Sequence, residues 1–251
     1  MDKKYYLTPV EQRIMETVWD SELVVTEDII NSLPDISANT VKNSISSLNG
    51  KGRLYRLRRG FYLRCDKPGI PVIGKPDKIA QVLFRGYVAF GSALRHWNLL
   101  EYEPFTIFVV TRTKGGTAKA GNYTFRAVSM GRRATGAIYD KGVYVSSLEK
   151  TIFDCIYKPS HAGGYTLVAK AISEAKLNWK KVQEWFDRFG TTSLKRRAGY
   201  IFSKANAPLW IVRYFRKGAA YPVWLDPGMY RKAKYDSDWK ILDNVGGWNG
   251  N

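Results

Sequence analysis

The stretch from Ser37 to Arg64 holds Lys42, Lys51, Arg53, Arg56, Arg58, Arg59 and Arg64 and no aspartate or glutamate. Interleaved with these cations are Asn39, Thr40, Asn43 and Ser46. Amide and hydroxyl side chains can exchange hydrogen bonds with base edges, and lysine or arginine can do so or neutralise phosphates. Phosphate repels carboxylates, so the missing acids fit the same chemistry. Asn39, Thr40, Lys42, Asn43 and Ser46 are therefore the candidates for base contact. Lys51, Arg53, Arg56, Arg58 and Arg59 are the candidates for the DNA backbone. Two blander readings stand beside this one: a solvated basic face, and a face that binds protein.

Residues suited to catalysis are sparse. Cys65 and Cys155 cannot build a disulfide framework or a four-cysteine zinc site. His96 and His161 are too few for most imidazole metal chemistry. The glycine-rich run from Gly115 to Gly121 lacks the Gly-Lys-Ser/Thr ending of a phosphate loop and reads as a turn. There is no His-Glu-x-x-His and no Gly-x-Ser-x-Gly. Cys155 falls on an apolar helix face and reads as core. His161 lies in a loop without an adjacent acid. Asp154, flanked by apolar residues, reads as structural. Asp238-Trp239-Lys240 has the acid-x-lysine spacing of many metal-dependent nucleases. That chemistry needs a second carboxylate, for which Asp77 and Asp226 are the candidates. The residues thus describe a binding protein without cofactor or metal, with a nuclease as the enzymatic alternative.

The charge pattern points the same way. The chain of 251 residues carries a formal charge of +18, which implies a polyanionic partner. Residues 1–36 have a net charge of −5, residues 37–64 of +7 and residues 67–251 of +17. No apolar run approaches the ~18–20 residues that cross a bilayer. Met1 to Leu7 contains no apolar signal core, so a cytoplasmic protein is expected.

The elements that must position these residues follow from periodicity and caps. Thr8-Pro9-Val10-Glu11 opens a helix with a capping box, and Val10, Ile14 and Val18 give it one apolar stripe. Thr26, as a cap, opens a second helix that Pro34 stops. Ser37 caps a third, in which Val41, Ile45 and Leu48 share a face opposite the base-contact candidates. Arg53–Leu57 and Phe61–Arg64 then form a hairpin around Arg58-Arg59-Gly60. Three short helices and a basic hairpin are the order of a winged helix-turn-helix, whose third helix enters the major groove. Residues 1–66 form this domain, and 67–76, with three prolines and two glycines, a semi-rigid linker.

Residues 77–251 read as a larger mixed domain, so the fold class is α+β. Strands are expected at Tyr87–Phe90, Phe105–Thr111 (central), Tyr123–Val128, Gly142–Val145, Trp210–Phe215 and Tyr221–Leu225. Lys114–Asn122 is expected to be a loop or hairpin end. Ser92 is expected to cap one helix, and Ser146 with Glu149 to box another. Helices are expected over Tyr165–Ala175, Trp179–Phe189 and Ser193–Ser203. A second basic patch is expected from Arg132, Arg133, Lys195, Arg196, Arg197, Arg213, Arg216 and Lys217, provided that packing brings them to one face.

Several segments resemble, in order, the AbiEi-type antitoxins and transcriptional regulators of abortive-infection toxin–antitoxin systems. They are Arg58-Arg59-Gly60-Phe61-Tyr62, the run from Ser92 to Leu99, the run from Val145 to Asp154, the run from Leu194 to Tyr200, and Leu225-Asp226-Pro227 followed by Trp239 to Val245. The resemblance implies a non-enzymatic repressor of its own operon that binds inverted repeats as two copies, whether monomers or a dimer. It also implies an antitoxin domain opposing a nucleotidyltransferase-type toxin in antiviral defence. The second domain is more basic than that pattern requires, which leaves open a second DNA-contacting face, an acidic toxin surface, or a solo regulator without a toxin.

Overall fold

The computed structural model describes residues 6–103, 105–216, 221–229 and 231–248. The protein is a mixed α+β structure. Helix α1 (Pro9–Thr17) starts at the expected capping box: the Glu11 N–H donates to the Thr8 hydroxyl at 3.2 Å, and the Thr8 N–H to the Glu11 carboxylate at 2.6 Å. A strand not foreseen from the sequence, β1 (Leu23–Val25), runs directly into α2 (Thr26–Ser32). Thr26 is thus the first helical residue and no cap; its N–H donates to Gly60 O at 2.9 Å. Helix α3 (Ala38–Gly50) is capped by Ser37, whose hydroxyl accepts from the Thr40 N–H at 3.2 Å. Val41, Ile45 and Leu48 close over Ile14, Val18, Ile29 and Leu33 in one buried cluster.

Strands β2 (Leu54–Arg58) and β3 (Phe61–Lys67) pair across the two-residue turn Arg59-Gly60, where Gly60 takes the left-handed φ of 80° that such a turn requires. Strand β1 pairs on the other side of β3, giving the order β1-β3-β2. The following segment, expected as a semi-rigid linker, is tied to its neighbours. Strand β4 (Ile70–Pro71) pairs with β3, and the N–H groups of Gly74 and Lys75 donate to Glu22 at 3.0 and 2.9 Å. Gly52, at φ 70°, lets the chain cross here; a Cβ would lie 2.9 Å from the Gly69 nitrogen.

Helix α4 (Pro76–Phe84) leads into a six-stranded sheet. The elements are β5 (Tyr87–Val88), α5 (Phe90–His96), β6 (Thr106–Thr111), β7 (Gly116–Ala120), β8 (Tyr123–Ser129), β9 (Ala137–Asp140) and β10 (Val143–Ser146). The order is β7-β8-β6-β5-β10-β9, with β6 and β8 parallel, as are β5 and β10. Residues 116–120, expected as a loop or hairpin end, are a strand that forms a hairpin with β8, because that pairing satisfies their backbone. Side chains on β6 alternate: Ile107 and Val109 join a cluster with α4, and Phe108 and Val110 pack on the other face. Ser92 lies inside α5 instead of capping it, and its hydroxyl accepts from the Phe108 N–H at 2.9 Å.

Helices α6 (Leu148–Tyr157), α7 (Tyr165–Glu174), α8 (Trp179–Phe189), α9 (Thr192–Lys204) and α10 (Leu209–Phe215) cover that second face. The cap of α6 is Ser147, one residue after the expected one, and Ser146 bonds Thr151 at 2.7 Å instead. Residues 209–215 are helical where the apolar run suggested a strand. A short sheet of β11 (Val223–Trp224), β12 (Lys234–Asp236) and β13 (Ile241–Asp243) closes the chain in the order β11-β13-β12. Among the described residues no helix is long and apolar enough to cross a membrane.

The expected boundary near residue 77 cuts through a shared core. Leu63 is buried with Ile79, Leu83, Ile107, Val109 and Phe125, and Leu23, Tyr55, Leu57 and Phe61 pack against them. The hairpin sheet therefore has helices α1–α3 on one face and the second unit on the other.

Candidate nucleic-acid interface

Helix α3 buries one stripe and exposes the other. Asn39, Thr40, Lys42, Asn43 and Ser46 are all exposed. The Thr40 hydroxyl shares a 2.8 Å hydrogen bond with Ser37, so it is already held in place. Arg59 is exposed at the hairpin turn, and Arg56 is exposed on β2, where its N–H donates to Asn49 Oδ1 at 3.1 Å. Arg53 is half-buried at the start of the hairpin. A cleft of about 500 Å³ lies between α2, α3 and the turn. Lys42, Arg59 and Arg85 line it, together with Glu27 and the apolar Ile30, Ile45 and Phe61.

Arg58 differs from its neighbour. Its guanidinium lies over the Phe61 ring at 4.4 Å and the Phe84 ring at 5.5 Å. Phe84 belongs to α4, so the second unit helps to hold this arginine. Partial burial and the nearby charge of Arg85 hold its pKa below the usual arginine value.

Lys51 does not belong to the exposed array. Its ammonium pairs with Glu11 at 2.6 Å and donates to Tyr6 O at 2.8 Å. Burial works to raise the Glu11 carboxyl. Hydrogen bonds from Lys51, Ser47 and the Thr8 backbone, with the Lys51 charge, outweigh it and hold Glu11 below its usual value. Lys51 thus locks the end of α3 to the start of α1.

Several members of the second expected patch are engaged within the protein. Lys195 pairs with Asp187 at 2.6 Å. Arg196 is buried and donates to Tyr221 O, and Arg197 donates to Trp224 O at 2.8 Å. These two fasten α9 to the segment around β11. Arg133 lies over Tyr157 at 4.8 Å, and Arg216 pairs with Asp238 at 2.9 Å. Arg132 and Arg213 are exposed, and Lys217 lies outside the described residues.

The catalytic candidates have other partners or surroundings. Asp238 is taken up by Arg216, and Asp226 accepts from the Gly228 N–H at 2.9 Å in its own turn. Among the described residues no three His, Cys, Asp or Glu side chains cluster as metal ligands. His161 stacks on Phe108 at 4.9 Å and meets Phe90 edge-on; burial, with Arg126 and Lys158 nearby, pushes its pKa down to about 4. Asp77 lines a separate cleft of about 540 Å³ with Lys75, Lys78, Arg95, His96, Glu103 and Lys141. Within it Arg95 meets Glu103 at 2.6 Å, and His96 meets Asp140 at 2.7 Å.

Two features escaped the sequence reading. One is the fully buried pair of Lys150 and Asp154, one turn apart on α6. Asp154 reads as structural from its apolar flanks, and the i, i+4 spacing was the signal for its partner Lys150. The other is Arg85, which occupies the left-handed position that ends α4, at φ 51°. An arginine followed by Gly86, where glycine usually ends a helix, was the available signal.

No protein-family model matches the chain, and no curated protein sequence matches it. The fold has a solved counterpart in the RV2827C protein from Mycobacterium tuberculosis. The two are 15% identical, with a TM-score of 0.68 over 95% of this chain and 92% of that one. At that identity the likeness establishes the fold.

Proposed function

We propose that this protein is a sequence-specific double-stranded DNA-binding regulator of transcription, with α3 in the major groove and the hairpin turn along the backbone. The observation that carries the reading is the α3 surface. Five exposed amide, hydroxyl and ammonium side chains lie on one helix, opposite a buried stripe, beside an exposed arginine turn. The order α1-β1-α2-α3-β2-β3, with β1 paired to β3, supports a winged helix-turn-helix. The absence of carboxylates from Ser37 to Arg64 favours DNA over a protein partner. Repression of its own operon through inverted repeats, and neutralisation of a toxin by the second unit, extend this reading on the strength of the resemblance in Ser92–Leu99 and Val145–Asp154. Much of those two segments is buried, so they speak to the fold before they speak to a partner.

A gel shift of the full chain tests the reading, with DNA from upstream of its own gene and a scrambled duplex at two salt concentrations. Selective retardation that weakens steeply with salt is expected. Equal binding to both duplexes would remove sequence-specific regulation, and binding to neither would remove DNA as the partner.

A further inference from the structure

Resting on the DNA reading above, we infer that Arg85 of the second unit is a phosphate-contacting residue, so that the DNA interface spans both units. Arg85 lines the cleft that also holds Lys42 of α3 and Arg59 of the turn. It lines a second groove beside this one with Phe61, Gln81 and Val82. No side-chain ion pair joins Lys42, Arg58, Arg59 or Arg85 to a carboxylate among the described residues. Glu27 and Asp28 rim the grooves from the first turn of α2, where their charge meets the positive end of that helix.

The backbone at Arg85 adds a second argument. A residue with a side chain is disfavoured at φ 51°, and glycine would end α4 without strain. Gly86, one residue on, cannot exchange places with it. A Cβ there would lie 2.3 Å from Val110 O. The helix end therefore holds a cation, lining a cationic cleft, at a position whose backbone glycine would also accept. Like charges facing one another across such a cleft are relieved by a polyanion, and a duplex supplies phosphates on the same side as α3.

Arg85→Gly separates interface from fold, because glycine accepts the left-handed conformation. Binding of wild type, Arg85→Gly and Arg85→Lys to the upstream and scrambled duplexes, over a salt series, is the experiment, with thermal melting alongside. Arg85→Gly should bind both duplexes about tenfold more weakly, with a salt slope lower by about 1, and melt no lower than wild type. Arg85→Lys should recover most of the affinity. Wild-type affinity and slope in Arg85→Gly would overturn the inference and leave the DNA reading standing. So would a loss that comes with a lowered melting temperature and is not recovered by Arg85→Lys. Failure of the wild type to bind either duplex would overturn the DNA reading itself.

Discussion

Arg58 and Arg59 are adjacent in sequence and differ in what holds them. Arg58 packs on Phe61 and Phe84, so its removal costs packing as well as charge. Arg59 is exposed, so Arg59→Ala should weaken binding to cognate and scrambled DNA alike and flatten the salt slope by about 1. Asn43→Ala should instead cost about 1–3 kcal/mol on the cognate site and little on scrambled DNA, as read by the same titrations. Equal losses on both would contradict base reading by α3. A different balance governs Lys150 and Asp154. Burial pushes the Asp154 carboxyl up to about 6 and the Lys150 ammonium down, against their mutual attraction and hydrogen bond. The Asp154 Oδ2 atom has no hydrogen-bond partner among the described residues, while Lys150 lies 5.3 and 5.6 Å from the Phe153 and Trp185 rings. Asp154→Leu should destabilise by about 3–5 kcal/mol in denaturant melts, because it strands a buried ammonium. Adding Lys150→Met should recover much of that loss. The folded chain holds the Asp154 proton more tightly than the unfolded one. That contribution to stability is complete below the ordinary aspartate range and is lost as the pH rises through about 6, a slope that melts across pH would show and that the double variant would abolish.

At the scale of elements, the readings that held were those in which one local signal was strong. Helices α1 and α3 combine a cap with an apolar stripe, and their packing uses that stripe. Residues 209–215 carry two β-branched residues and three large aromatics besides Leu209, a composition that suits strand or helix, and packing beside α9 decides for helix. Strand β7 was hidden by its glycine and alanine content; only its partner β8 makes it a strand. The different partners within the expected basic patch have a simpler cause. Lys195, Arg196 and Arg197 are consecutive on α9, and successive helical residues point about 100° apart, so they serve three surroundings. The same helix shows how closely these elements meet. A Cβ on Gly199 would lie 2.5 Å from the Trp239 ring and 2.6 Å from the Phe215 Cβ. Gly199→Ala should therefore destabilise by about 1–3 kcal/mol despite its better helix propensity, as measured by thermal melting.

At the scale of the molecule, the prolines and glycines of residues 67–76 suggested a division, but the core that is shared across them was not legible. Tyr55, Leu57, Phe61 and Leu63 looked like ordinary strand residues, and nothing in their spacing says that another unit covers them. Because they do meet α4 and the large sheet, the chain should unfold in one transition, with calorimetric and van't Hoff enthalpies equal. A fragment ending at residue 66 should expose this surface and show lower protection from proteolysis than the same residues in the full chain. Two separate transitions would contradict the shared core. The covered back of the hairpin has a consequence for recognition. On the proposed DNA reading, a hairpin that is covered from behind cannot swing to follow a groove, so the duplex would have to do the adapting. Sites whose steps bend or narrow easily would then be preferred even at positions that no side chain touches.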